Sequence, residues 1–201
     1  MKAKIGTFLM IIGSVLIFAA LGLFIYNEHE QNLAAESVSK LMPQLVEAIR
    51  VQKEETSEPV LPTVNPQKEM KTAEIDGHEY IGFVGIPALG LELPVMADWD
   101  YDKLKIAPCR YSGSVFTGDL VVMAHNYKKH FGSLSTLRPG DSVTFTDMEG
   151  QTLYYEVAAL DVLSSTAVED MTSGEFDFTL FTCTYGGESR VTVRCDRTSA
   201  E

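Results

Sequence analysis

The sequence predicts an all-β domain of many short strands, carried on one N-terminal transmembrane helix. Three observations predict it. The chain opens with IGTFLMIIGSVLIFAALGLFIY, a run of 22 residues from Ile5 to Tyr26 without a charge. Residues 73–201 alternate short β-rich runs with turn signals. Between them lies a polar tract broken by Pro59, Pro62 and Pro66.

Composition narrows the class. The chain has 201 residues, 45% of them hydrophobic and 22% charged, which suits one ordinary domain plus an appendage and excludes wholesale disorder. Its net charge of −12 would repel phosphate backbones, so nucleic acid is excluded as a partner. Three cysteines cannot make a disulfide framework, and no CxxC or Cys/His cluster suggests zinc.

The elements follow in chain order. At ~1.5 Å per residue, Ile5–Tyr26 spans roughly 33 Å and crosses a bilayer core of ~30 Å. A cleaved signal peptide has a shorter apolar region of ~7–15 residues, so the run reads as an anchor. Lys2 and Lys4 precede it, while Glu28 and Glu30 follow it. The basic flank stays in the cytoplasm and the remainder goes outside, giving a single-pass protein with an extracellular domain. Residues 27–72 read as a stalk. Leu33, Ala34, Val38, Leu41, Met42, Leu45 and Ile49 recur at helical spacing, and Pro43 is expected to kink or restart that helix. The Pro-rich tract after it reads as a semi-rigid spacer.

Residues 73–201 carry nine basic against twenty acidic side chains. Strands are expected at Tyr80–Ile86, Leu91–Met96, Asp119–His125, Ser142–Asp147, Gln151–Leu163, Phe176–Thr184 and Arg190–Cys195. A short helix is expected at Asp98–Ala107 and a turn near Phe131–Leu137. Both a closed barrel and a sandwich fit strands of this spacing.

Scarce residues mark the candidate chemistry. His29, His78 and His130 read as solvated or locally hydrogen-bonded. His125 differs, because it ends the apolar strand DLVVMAH, and a strand end is a rigid platform at the rim of a fold. Cys183, in TLFTCT, also ends an apolar strand and reads either as a core residue or as a nucleophile. Arg190, seven residues later across Gly186–Gly187, would favour a thiolate and an oxyanion. A two-residue hairpin loop places Cys183 directly opposite Arg190, and Arg194 opposite Thr179. Cys109 and Cys195 read as core fillers, free or paired.

These residues carry a family resemblance. TLFTCT with its downstream arginine, and AHN at the end of an upstream strand, resemble the signature of sortases. YIGFVGIPALGLELPV resembles a sortase's first two strands, and DLVVMAHNYKKHFGSLSTLRPGDSVTF its histidine region. The resemblance spans about residues 75–197. It implies a closed β-barrel of about eight strands with short helices, and a cysteine transpeptidase on the outer face of Gram-positive bacteria. Cys183 would be the nucleophile, His125 the acid and base, Arg190 the oxyanion and substrate holder, and Thr182 an aid to substrate binding. The donors implied are surface proteins with an LPxTG-like sorting signal. The acceptor expected first is the amine of a peptidoglycan precursor; the alternative is a pilin lysine.

The family's pilin-assembling members often carry an Asp-Pro-aromatic lid, and residues 54–75 hold no such tripeptide. The segment between Leu163 and Phe176 is shorter than the class B insert, which leaves class C or D as the expected type. Some members bind calcium, but Glu169, Asp170, Glu175 and Asp177 read as a solvated acidic loop, so no metal or cofactor is predicted. A reading of another class, a non-catalytic anchored adhesin or scaffold, has no need of His125, Cys183 and Arg190 together.

Overall fold

A computed structural model describes residues 2–55 and 68–199. The expected Pro-rich spacer, with Pro59, Pro62 and Pro66, lies outside the described residues. Anchor and stalk helix form one element, α1 (Lys2–Glu55), long and apolar enough at its start to cross a membrane. Pro43 lies inside it without restarting the helix. Leu41 and Leu45 dock on either side of Pro43, and this burial offsets the hydrogen bond that proline removes.

The docking is extensive. Leu41, Leu45 and Ile49 share a buried cluster with Ile75, Tyr80, Met96, Leu104 and Met148. Beyond them Lys53 and Ile49 lie against Gly150. Lys68 and Lys71, where the described chain resumes, both pair with Glu149. The second half of α1 is therefore part of the domain's core. Leu45 is fully buried, so Leu45→Ala in a fragment starting at Asn27 is expected to cost about 2–5 kcal/mol in urea unfolding. An unchanged midpoint would show that the helix only lies near the barrel.

Nine strands follow: β1 (Ala73–Ile75), β2 (His78–Ile86), β3 (Leu91–Met96), β4 (Cys109–Ser112), β5 (Leu120–Met123), β6 (Ser142–Asp147), β7 (Thr152–Ser164), β8 (Phe178–Cys183) and β9 (Ser189–Thr198). They run in the order β1-β2-β3-β4-β5-β8-β9-β7-β6, and β6 pairs back onto β2. Strands β2 to β9 thus close an eight-stranded barrel, and β1 hangs outside it. Closure decides between the two architectures that strand spacing left open. At the seam Gly82 has φ +141, and a Cβ there would lie 2.0 Å from the Thr146 carbonyl oxygen. Only glycine lets β2 and β6 meet so closely.

The barrel interior holds Ile81, Val84, Val122, Phe145, Phe178, Leu180 and Val193 among its buried residues. Strands β1 and β4 escaped the sequence reading, since three or four residues carry too little alternation. The helix expected at Asp98–Ala107 is instead one 3-10 turn, Lys103–Lys105. Asp100 Oδ1 accepts from the N–H groups of Asp102 and Lys103, which caps a turn rather than a longer helix. A second short helix, α2 (Val168–Met171), bridges β7 and β8.

Candidate active site

Three neighbouring strands bring the candidate residues into one row. Strand β5 runs parallel to β8 with Met123 beside Phe181. The pairing extends past the strand ends: Ala124 N–H donates to the Phe181 carbonyl at 3.2 Å. The Thr182 hydroxyl donates to the Ala124 carbonyl at 2.8 Å. Two residues beyond the Met123–Phe181 pair stand His125 and Cys183. On the other side β9 runs antiparallel to β8, and Cys183 pairs with Arg190. Adjacent strands lie ~4.8 Å apart, so His125, Cys183 and Arg190 stand abreast. All three line the same pocket, together with Trp99, Tyr111 and Phe181.

The register opposite Cys183 is the one expected, although the turn differs. Gly187 N–H donates to the Thr184 carbonyl and Thr184 N–H to the Ser189 carbonyl, so the loop has four residues instead of two. Gly186 and Gly187 take φ +90 and +78. A loop lengthened equally on both sides preserves the register.

Arg190 Nη1 donates to the carbonyls of Gly187 and Ser189. No carboxylate among the described residues lies in ion-pair range of it. Arg194 pairs with Thr179, as the register demands, and is buried. It donates to the carbonyls of Asp170 and Met171 and to the Thr179 hydroxyl, and meets Asp161 at 3.4 Å. It therefore ties α2 to the barrel wall. Thr182 is buried, and its hydroxyl bond to Ala124 fixes the backbone immediately before His125.

The three cysteines are free, which leaves no disulfide between Cys109 and Cys195. Burial pushes the Cys109 and Cys195 thiols up to about 12, whereas Cys183 is half-exposed at the pocket. Burial also holds the His125 imidazole below its usual range; Lys105 adds to this and Glu30 opposes it. The ring is therefore neutral at neutral pH. Tyr127 stacks on it at 4.8 Å between centroids. Among the described residues no group of three or more His, Cys, Asp or Glu is arranged to hold a metal ion.

His130 corrects an expectation. It is fully buried behind Tyr127, 5.6 Å between ring centroids, and neither ring nitrogen has a hydrogen-bond partner. Desolvation drives its pKa down to about 4, with His125 contributing. Its folded value is depressed, so the neutral ring's stabilisation is complete above the unfolded value near 6.5. It is lost as pH falls toward 4. The loss is expected to reach about 3 kcal/mol over that window. Unfolding curves at pH 7 and pH 4 check this, and His130→Phe is expected to remove most of the difference.

Two wall residues were missed from sequence. Trp99 and Tyr101 line the pocket from the β3–β4 loop, and Trp99 lies 5.8 Å from Tyr111 between ring centroids. The signal was a single tryptophan beside a tyrosine within an acidic stretch, ADWDYD.

Residues 84–198 match the family described as "Sortase domain". The chain belongs to the sortase family. It is 26% identical over 182 residues to sortase A of Bacillus anthracis, covering 85% of this chain and 84% of that one. A solved structure of sortase C1 from Streptococcus suis is similar at 28% identity and TM-score 0.53, covering 62% of this chain and 75% of its own. Sortase C of Streptococcus pneumoniae resembles this sortase in fold, with TM-score 0.58, 22% identity, and coverage of 82% and 97%. This sortase is a cysteine transpeptidase of the Gram-positive type that acts on a sorting signal. It crosses the membrane once through α1, with the barrel outside.

Proposed function

We propose that this sortase cleaves an LPxTG-like signal through Cys183 and passes the acyl group to a lysine amine of a pilin subunit. The alignment of His125, Cys183 and Arg190 across β5, β8 and β9 carries the chemical part of this reading. The neutral His125 ring takes the thiol proton as Cys183 Sγ attacks the scissile carbonyl. Arg190 stabilises the oxygen that becomes negative. Collapse breaks the C–N bond, and the imidazolium returns the proton to the leaving amine. A thioester remains on Cys183. The incoming amine attacks it and gives its proton to His125, and the C–S bond breaks as the imidazolium returns that proton to the Cys183 sulfur. Thr182 acts here through His125, by holding Ala124, rather than by touching substrate.

The pilin acceptor is supported by similarity to the sortase C1 of Streptococcus suis and by fold likeness to the pneumococcal sortase C, whose structure concerns pilin substrate specificity. The second reading keeps the peptidoglycan-precursor amine as acceptor. Two observations favour it: the missing Asp-Pro-aromatic tripeptide in residues 54–75, and the similarity to a sortase A. Competition settles the acceptor. The enzyme is incubated with LPxTG-variant peptides and equal amounts of a pilin lysine peptide and a precursor-type amine, and the products are read by mass spectrometry. Lysine adducts in excess support the first reading, and precursor adducts in excess establish the second.

A further inference from the structure

We propose that the mouth of the active-site pocket rests on the outer surface of the membrane that α1 crosses, with Trp99 and Tyr101 among the lipid headgroups. The argument starts from the continuity of α1. Its exposed apolar face runs to Tyr26. The barrel takes hold of the same helix by Gln31, whose Oε1 accepts from the Lys128 N–H at 3.2 Å. Five residues separate these points, a rise of about 7.5 Å. The headgroup layer of one leaflet is about 5–7 Å thick. No tether of free length intervenes.

The part of the barrel held there is the active-site loop. Lys128 follows His125 by three residues. The Glu30 carboxylate is near enough to act on His125, Tyr127 and Lys105, and Tyr26 to act on Tyr127 and Lys105. The opposite end of the docked helix, Ile49 and Lys53, lies against Gly150 in the β6–β7 hairpin. That hairpin is therefore roughly 30 Å farther from the bilayer, by helical rise. The barrel stands with its catalytic end down.

The surface at that end suits a lipid interface. Tyr101 is 74% exposed and Trp99 38%. Both belong to the loop that carries Lys105, and such rings partition to the headgroup level. Lys128 and Lys129 make no ion pair among the described residues and would meet lipid phosphates, while Asp98, Asp100 and Asp102 beside the two rings are paired with Lys103 and Lys105. One consequence rests on the transpeptidase reading: the pocket meets peptides and amines that are themselves held at the bilayer.

Trp99 is the chain's one tryptophan, so its emission reports this contact without any activity. The full chain is placed in phosphatidylcholine–phosphatidylglycerol vesicles bearing a nitroxide either at the headgroup or at the bilayer centre. Headgroup label is expected to quench Trp99 at least twofold more strongly than central label. An alanine-rich insert of eleven residues after Asn27 lifts the barrel by about 16 Å with a rotation of only about 20°, and should abolish that quenching. Absence of headgroup quenching in the unmodified chain, or its persistence in the lengthened one, overturns the proposal.

Discussion

Cys183→Ala is expected to abolish covalent labelling by thiol-reactive sorting-signal analogues and to reduce turnover to background. The reason is positional. Of the three thiols only Cys183 lines the pocket that holds His125 and Arg190. Cys109 and Cys195 are fully buried with thiols pushed up to about 12, so neither supplies a thiolate near neutrality. Replacing either with serine should leave labelling intact. It should lower stability by about 1–3 kcal/mol instead, because a hydroxyl is costlier to bury than a thiol. The loss should be smaller at position 109, where the Ala107 carbonyl already accepts from Cys109 Sγ at 3.4 Å. Turnover that survives in Cys183→Ala, or disappears in Cys109→Ser while the fold persists, contradicts this assignment.

The second large effect separates two arginines of β9. Arg190→Ala should lower turnover by about 10²-fold, the cost typical of losing one oxyanion donor. The unfolding midpoint should barely move, because Arg190 is held only by carbonyls of its own hairpin. Arg194→Ala should do the reverse. Its guanidinium is buried and serves Asp170, Met171 and Thr179, so its removal leaves buried acceptors unserved. A loss of about 2–4 kcal/mol is expected. Little of it comes from Asp161, whose side chain is 45% exposed and only weakly paired. Turnover and urea unfolding measured on both variants check the ranking, and a swap between them would refute the pairing of Cys183 with Arg190.

That pairing was legible because it depends on counting. Gly186–Gly187 marks the turn, and strand alternation then fixes which arginine faces Cys183. Even a wrong loop length left the answer intact, since the extra residues fall symmetrically. His125 was legible for a related reason, as an apolar strand ending in a polar ring. The row formed with Cys183 was not, because the parallel neighbour of β5 is β8, more than fifty residues away. No local pattern encodes that choice.

Burial accounts for the features that local pattern leaves undecided. YKKHFG looks like a solvated loop, yet His130 is covered once Tyr127 folds over it. The α1 stripe is visible at helical spacing and fits docking on the domain or a simple stalk better than pairing with another chain or lying along the membrane, but spacing alone does not name the surface that receives it. Tyr80, Met96 and Met148, drawn from β2, β3 and the β6–β7 turn, supply the surface that captures it. Pro43 would argue for a break in an isolated helix, where nothing offsets the missing hydrogen bond. Trp99 entered the pocket wall because Asp100 caps a tight turn where a longer helix was expected.

Intact-protein mass spectrometry during reaction with a sorting-signal peptide tests the central claim most directly. Without an amine acceptor the protein should gain the mass of the peptide's N-terminal acyl fragment, and proteolytic mapping should place that mass on Cys183. Adding the amine should discharge it into a new amide product. A protein that cleaves the peptide without ever carrying the acyl mass, or carries it on another residue, would contradict the account.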